Sequence, residues 1–200
     1  MILTPSQRRY TDAIAAGDMA LADRLGTALD AEHAENEARL DAPDALREAA
    51  AWYAANDIAV FPLRPGAKVP LTRHGFKDAT TDAARVDAWW TATPDANIGL
   101  PTGHRFDVID VDGPAGTVSY GLADAEENGV EVLAWARTPH GYHYLVEPTG
   151  AGNRAGLLPS VDYRGAGGYV VAPPSRTADG AYRWVTAYGL DPARLPAEAA

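Results

Sequence analysis

Two carboxylates lie near the end of an apolar run in the middle of the chain. Residues 106–113 read FDVIDVDG, in which β-forming residues surround Asp110 and Asp112 before Gly113 and Pro114 end the run. Side chains two residues apart on a strand share one face, so this pair projects side by side. Each charge raises the pKa of the other unless a cation lies between them. The run therefore indicates a divalent-metal site or, alternatively, a strand that runs into an acidic turn.

Two later motifs carry further polar groups on predicted strands. GYHYLV, residues 141–146, places His143 just after a turn, and VDYRG, residues 161–165, places Asp162 and Arg164 on one strand face. His143 is either structural or a ligand-binding group. Its spacing from His140 is also seen in metal sites, although no third nitrogen or sulfur ligand is evident nearby. Asp162 and Arg164 form either a local ion pair or a third metal-binding carboxylate beside a phosphate-binding guanidinium.

Composition sets the broad class of the protein. The 200 residues are 46% hydrophobic and 22% charged, which is typical of a globular chain with one good-sized core. The chain has no cysteine, which excludes disulfides, zinc–thiolate sites and a cysteine nucleophile. No P-loop, GxSxG or complete EF-hand pattern is present. No signal peptide or membrane-spanning apolar run is evident, so we expect a cytoplasmic protein with no membrane partner.

The net charge of −10 is unevenly distributed. Residues 1–60 hold 11 acids and 5 bases, a balance of −6, whereas residues 61–200 hold 16 acids and 12 bases, a balance of −4. Three of the acids in the second segment are the candidate metal ligands, and without them that segment is close to neutral. The charge therefore does not exclude a nucleic-acid partner.

The order of predicted elements indicates an α+β fold in which hairpins outnumber parallel crossovers. Residues 64–77 form a basic loop that is either solvated or a positive flap over an anionic ligand, and residues 148–160 are predicted to be loop. The helices before residue 42 are predicted to form an accessory segment that contributes no catalytic residues. Helices are predicted at residues 4–16, 18–40, 43–56, 82–90 and 115–127, and strands at 58–63, 97–100, 105–111, 131–137, 142–147, 161–164, 169–172 and 182–185.

Taken in order, these motifs resemble a known family. The succession of DVD, then GYH on a strand, then DYRGAGGYVVAPPS is similar to the N-terminal domain of bifunctional DNA primase/polymerases, which belongs to the archaeo-eukaryotic primase superfamily. The likeness begins near residue 49, includes VFPLRPGAKVPL, GFKDATTD and NIGLPTG, and ends near residue 175. It implies an RRM-like mixed or antiparallel sheet with flanking helices, the catalytic core of that superfamily.

The resemblance also implies the roles of the site residues. Asp110, Asp112 and Asp162 would hold two Mg²⁺ or Mn²⁺ ions, with His143 beside them in the catalytic site. His143 and Arg164 would bind the triphosphate of a dNTP or NTP, with assistance from Lys68 or Arg176. The implied activity is nucleotidyl transfer to a 3′ hydroxyl on a single-stranded DNA template, in DNA replication or repair.

The chain departs from the family pattern at two points. Gly141 stands where relatives often have a serine two residues before the histidine, so a side-chain phosphate contact is replaced by a backbone N–H or lost. The helicase that usually follows is missing, so a helicase module on the same or another chain is a candidate partner. We expect a helical appendage at residues 1–42, a catalytic domain at 43–190 and a tail or linker at 191–200.

Two other functions stay open from the residues alone. A glycosyltransferase could use the DVD motif to bind a metal and a nucleotide sugar, without need of Asp162 or a template. A non-catalytic RRM-like protein could bind single-stranded nucleic acid, although such binders expose aromatic residues where this strand carries carboxylates.

Overall fold

The fold was examined in a computed structural model, which describes residues 9, 12–40, 42–125 and 132–187. The chain divides into two compact units, Met1–Ala42 and Pro43–Ala200. In the first unit the helix α1 spans Met19–Leu40, and the backbone N–H of Leu21 donates to the Asp18 carboxylate at 3.0 Å. This helix agrees with the sequence prediction. The predicted helix opening at residues 4–7 lies outside the described residues.

In the ranges that the structure describes, the second unit contains three further α-helices and all the named strands. Its α-helices are α2 (Ala45–Ala55), α3 (Ala83–Ala92) and α4 (Gly113–Ala125), with a 3₁₀ turn at Gly75–Asp78. Asp82 caps α3, because its carboxylate accepts a 2.9 Å hydrogen bond from the backbone N–H of Arg85. In the part of the chain that the structure describes, no helix combines the length and apolar character that a membrane span requires.

Among its described residues, the second unit has eleven named strands in chain order. They are β1 Phe61–Leu63, β2 Asn97–Pro101, β3 Asp107–Asp112, β4 Val132–Arg137, β5 Gly141–Val146, β6 Arg154–Leu158, β7 Val161–Arg164, β8 Tyr169–Ala172, β9 Arg176–Thr177, β10 Gly180–Ala181 and β11 Arg183–Ala187.

Six of these strands form the larger sheet, and every neighbouring pair is antiparallel. The spatial order is β11-β4-β5-β3-β7-β6, so β3 lies between β5 and β7. A smaller sheet has the antiparallel order β1-β2-β8, and β9 and β10 form a short hairpin.

Strand β3 is apolar on both faces because both faces are covered. Val108 joins the main core, which packs α2 and α3 against β2, β8 and the larger sheet around the fully buried Trp90 and Tyr53. Ile109 and Val111 point to the opposite face, where Tyr120 of α4 packs against their cluster. This double burial fixes the register of β3, since a slip by one residue would exchange its two faces. The α+β prediction is therefore confirmed.

One predicted loop contains a strand. Residues 154–158, which the sequence analysis assigned to a loop, form β6 at the edge of the larger sheet. The segment lacks alternation of apolar and polar residues, and its Gly156 has a positive φ of 63° beside an irregular register with β7. Its strand structure therefore depends on the pairing with β7 rather than on a local pattern.

A buried carboxylate holds the loop that precedes β6. Asp107 is fully buried, and its Oδ2 accepts hydrogen bonds from the backbone N–H of Thr149 at 2.8 Å and from the Tyr163 hydroxyl. Burial, and then the hydrogen bond to Asp107, raise the pKa of the Tyr163 hydroxyl. The cluster ties residues 149–153 to β3 and β7 on the face opposite Asp110.

Candidate active site

Three adjacent strands bring three polar residues into one row. In the antiparallel register Asp110 of β3 lies directly opposite His143 of β5 on one side and Asp162 of β7 on the other. Directly paired residues of antiparallel strands project from the same face of a sheet, so all three side chains share the face that carries Val108.

Arg164 lies between the two carboxylates. Its Nη2 donates to Asp162 Oδ2 at 2.8 Å and to Asp110 Oδ2 at 3.2 Å, while His143 Nε2 lies 3.4 Å from Asp110 Oδ1. The second oxygen of Asp162 accepts a 2.8 Å hydrogen bond from the backbone N–H of Gly156. Both carboxylates therefore share one guanidinium, and each has a further hydrogen-bonding neighbour in the protein.

The environment of Asp110 favours its ionised form. Its side chain is only 15% exposed, and this burial alone raises the pKa of the carboxyl. The hydrogen bond and charge of His143, followed by those of Arg164, outweigh the burial, so the pKa of Asp110 is lowered overall. Asp110 is thus a partly buried, ionised carboxylate that depends on two neighbours.

Acid is expected to remove a stabilising contribution of Asp110. Because the pKa of Asp110 is lower in the folded protein than in the unfolded chain, its contribution is present at neutral pH and is lost as the pH falls through the lowered value. Urea denaturation of the wild type and of Asp110→Asn across an acidic pH series measures this. The difference in unfolding free energy should shrink as the pH falls. A difference that does not change with pH would contradict the claim that His143 and Arg164 stabilise the ionised carboxylate of Asp110.

A cavity of about 330 Å³ opens beside this network, between the two sheets. Its size is within the range of small-molecule sites. Ionic groups from the larger sheet and from the loop at residues 64–77 meet in it, together with aromatic rings and glycine backbone. The described residues that line it are Lys68, Phe76, Asp110, His143, Asn153, Arg164, Gly167, Gly168, Tyr169, Val170, Val171 and Tyr182.

Hydrogen bonds to the backbone on either side hold Lys68 at this cavity. The buried Asn97 donates from Nδ2 to the carbonyl of Ala67 at 3.0 Å, and the Tyr169 hydroxyl donates to the carbonyl of Lys68 at 3.0 Å. Burial raises the pKa of the Tyr182 hydroxyl, and the nearby Lys68 ammonium opposes that effect. The Tyr182 ring in turn lies 5.8 Å from the His143 ring, so Lys68 and His143 meet at the same end of the cavity.

Two predicted residues lie apart from this cluster. Asp112 is exposed at the end of β3, opposite Gly141, and has no side-chain hydrogen bond or ion pair to any described residue. Arg176 is exposed at the start of β9, where its backbone is bonded to the Asn97 side chain, and it is not among the described residues that line the cavity. His140 is also apart, since its Nε2 lies 3.5 Å from Asp179. The structure thus brings together Asp110, Asp162, His143, Arg164 and Lys68.

The close approach of two strands explains why glycine stands at position 141. A Cβ atom on Gly141 would collide with the backbone carbonyl of Val111 on the neighbouring strand. A serine, the residue expected here from the sequence resemblance, would require β3 and β5 to separate. Its missing hydroxyl is therefore a consequence of how these two strands pack.

The donor atoms fit a hard divalent cation. Asp110 Oδ2 and Asp162 Oδ2 both contact the same cationic nitrogen of Arg164, so two carboxylate oxygens already converge on one positive group. Oxygen ligands of this type are those that Mg²⁺ and Mn²⁺ prefer. Among the described residues, however, no group of three or more His, Cys, Asp or Glu side chains is arranged to hold a metal ion. The carboxylate of Asp112, the third ligand expected from the resemblance, makes no contact with Asp110, Asp162 or Arg164.

Sequence reasoning missed the residues that support the site. Tyr182 and Asn153 belong to segments without a recognisable motif, and Asn97 begins the NIGLPTG run, but only tertiary contacts bring these residues to the cavity or to the loop beside it. Tyr169 lies within the recognised GGYVVAPPS run, but its hydroxyl contact with residue 68 spans 101 positions of sequence. No local pattern contains that information.

Comparison with known proteins identifies a family that the chain matches. Residues 50–198 match the sequence model of a family described as bifunctional DNA primase/polymerase, N-terminal. The matched region contains all the residues that line the cavity, and α1 lies before it. No curated protein is similar enough to the chain to count as a match.

Proposed function

Since the chain belongs to the bifunctional DNA primase/polymerase N-terminal family, we propose that it is a template-directed nucleotidyltransferase of DNA replication or repair. Membership implies primase/polymerase activity, DNA and nucleotide substrates, and metal-dependent transfer. The proposed reaction is attack of a 3′ hydroxyl on the α-phosphate of a nucleoside triphosphate, with pyrophosphate as the leaving group. Phosphoryl transfer of this kind requires mainly positioning and charge neutralisation, which a row of ionic groups beside a cavity can supply.

The observation that supports this proposal is that Asp110 and Arg164 line the cavity while Asp162, paired with Asp110 in register, contacts the same Arg164 guanidinium. Asp110, Asp162 and Asp112 would hold two Mg²⁺ or Mn²⁺ ions, which would supply activation of a hydroxyl and charge for the leaving group. Arg164 forms ion pairs with Asp110 and Asp162 and offsets part of their charge. If cations took over its role beside the two carboxylates, the Arg164 guanidinium would be able to bind the triphosphate.

The other groups at the cavity fit a nucleotide. His143 and Lys68 meet at one end beside Arg164, which suits a triphosphate. The rings of Phe76 and Tyr169 are stacked 6.2 Å apart and line the same cavity, where they offer apolar contact to the nucleoside. Arg176 is proposed as an assisting contact outside the cavity. His143 acts here as a catalytic-site hydrogen-bonding group and not as a metal ligand.

The fold arrangement supports finer proposals about architecture. An antiparallel sheet with its carboxylates on one face and α4 on the other is compatible with the RRM-like core of archaeo-eukaryotic primases. We propose residues 43–190 as the catalytic domain, residues 1–42 as a helical appendage and residues 191–200 as a tail. A helicase module on the same or another chain remains the proposed functional partner.

One incubation separates this function from its alternatives. The protein is mixed with Mn²⁺, dNTPs or NTPs, and single-stranded templates with and without a primer, and the products are resolved by size. A nucleotidyltransferase lengthens a primer or makes one. A glycosyltransferase or a passive single-strand binder leaves the DNA unchanged. Absence of any template-dependent product with either nucleotide pool would refute the proposal.

Removal of residues 1–42 is expected to leave primer extension intact. These residues carry none of the proposed site groups, and they form a compact unit separate from residues 43–200. Extension of a pre-formed primer by the truncated and complete chains, at matched concentrations of folded protein, measures this. If the truncated chain keeps its circular-dichroism spectrum but loses extension, the appendage takes part in binding the template or primer.

A further inference from the structure

The loop at residues 64–77, here named the basic flap, has an unusual charge for this protein. It contains Arg64, Lys68, Arg73 and Lys77 and no acidic residue, within a chain whose net charge is −10. Lys68 reaches the cavity. Arg64, Arg73 and Lys77 are exposed, and none of the three has an ion-pair or hydrogen-bond partner for its side chain among the described residues.

Three exposed arginines elsewhere in the described part of the chain, by contrast, do have partners. Arg47 donates to Asp87 at 2.5 Å, Arg105 lies 3.8 Å from Asp57, and Arg85 lies over the Trp89 ring. The flap thus presents, beside the site, three exposed positive charges without acidic partners among the described residues. Such a surface fits a polyanion such as the phosphate backbone of a nucleic acid.

Two large apolar side chains are exposed between these cations. Val69 is 53% exposed and Leu71 is 41% exposed. Pro70 pairs with Leu63 in an isolated bridge, and the backbone N–H of Leu71 donates to the carbonyl of Pro62 at 2.9 Å. Residues 69–71 thus run as an extended addition to the edge of β1, which places Val69 and Leu71 on the same side.

The flap is held in place from several directions. Besides the contacts to β1, the Asn97 side chain and the Tyr169 hydroxyl bind the carbonyls of Ala67 and Lys68. At its other end, the backbone N–H of His74 donates to Asp78 at 2.9 Å. A segment anchored in this way presents its cations with little ordering cost on binding.

We propose that the basic flap binds the single-stranded DNA template, with Arg64, Arg73 and Lys77 on its phosphates and Val69 and Leu71 against its bases. Exposed aliphatic groups can pack on base faces only where the bases are not paired, which favours a single strand over a duplex. The proposal rests on the proposed function and adds the surface by which the template reaches the cavity. Phe76 and Lys68, on the same flap, border the nucleotide end.

The test is DNA binding without nucleotide or metal, measured by anisotropy of a fluorescein-labelled oligodeoxythymidylate over a range of salt concentrations. Arg64→Gln, Arg73→Gln and Lys77→Gln are combined in the complete chain. The matched control combines Arg24→Gln, Arg47→Gln and Arg105→Gln, which removes the same charge elsewhere. Loss of three phosphate contacts should reduce the slope of log K against log salt by about 2 and weaken binding by about 10- to 100-fold at moderate salt.

Each result of this test is decisive for the flap. The control should bind as the wild type does, and Val69→Ser with Leu71→Ser should weaken single-strand binding without a change in slope or in binding to the matching duplex. Equal affinities and slopes for the flap variant and the control would overturn the proposal. That outcome, in a protein that still extends primers, would leave the proposed function standing. A wild type that neither extends primers nor binds the oligonucleotide would remove both.

Discussion

Replacement of Asp110 by asparagine is expected to abolish nucleotidyl transfer. The amide cannot neutralise a cation, and Asp110 is the residue through which β3, β5 and β7 share their charges. The loss of rate should exceed the roughly 10- to 100-fold that changes to residues around metal ligands cost. Asp162→Asn is expected to act in the same way. Single-turnover primer extension with saturating DNA and nucleotide measures the effect.

Asp95→Asn is the matched control for these variants. Asp95 is exposed, and its side chain has no hydrogen bond or ion pair to any described residue of the site. Asp112→Asn tests the third proposed ligand separately. If it loses activity as Asp110→Asn does, Asp112 joins the site when ions bind. If Asp110→Asn retained the wild-type rate in a folded protein, the assignment of the catalytic carboxylates would be wrong.

Asp110→Asn is also expected to destabilise the fold by about 1–3 kcal/mol, the usual cost of leaving a buried charged partner unsatisfied. The sequence alone suggests the opposite sign, since neighbouring carboxylates without a cation repel each other and their removal would stabilise the protein. Arg164 and His143 lie beside Asp110, and we expect the loss of their contacts to outweigh the relief of that repulsion.

Truncation of His143 or Arg164 to alanine is expected to weaken apparent nucleotide affinity by about 10- to 100-fold. A charge-assisted contact to a phosphate contributes on the order of 1.5–3 kcal/mol, and both side chains border the cavity. Affinity for single-stranded DNA without nucleotide should change little, because the proposed template contacts lie on the basic flap. Extension rate against nucleotide concentration, beside an anisotropy titration of labelled DNA, separates the two effects.

Two residues of the same type serve as controls. His140 is exposed beside Asp179, and Arg154 on β6 is paired in register with Tyr163, whose side chain lies on the other face of the sheet. His140→Ala and Arg154→Ala should leave nucleotide affinity unchanged. If His143→Ala and Arg164→Ala lost DNA binding but kept normal nucleotide affinity, the roles assigned to these two side chains would be wrong.

Local patterns in the sequence were sufficient to find the strands that carry the site. Alternation and turn residues located β3, β5 and β7, and the two-residue repeat placed Arg164 on the same face as Asp162. The ion pair between Asp162 and Arg164, one of the two readings open from sequence, is present at 2.8 Å.

The sheet order was beyond the reach of those patterns. The position of Asp110 between His143 and Asp162 depends on which strands pair and in which register, and residues 33 and 52 positions away supply its two neighbours. The same is true of the Asn97 and Tyr169 contacts that hold Lys68. The family match from residue 50 to 198 then connects this geometry with primase/polymerase chemistry.

Template-directed incorporation is the most direct test of the central claim. A primed single-stranded DNA is prepared in four forms that differ only in the first templating base, and each is incubated with Mn²⁺ and one nucleotide at a time. The account predicts that the wild type adds the complementary nucleotide on each template and that Asp110→Asn adds none. Equal addition of all nucleotides whatever the templating base, or addition that persists in Asp110→Asn, would contradict it.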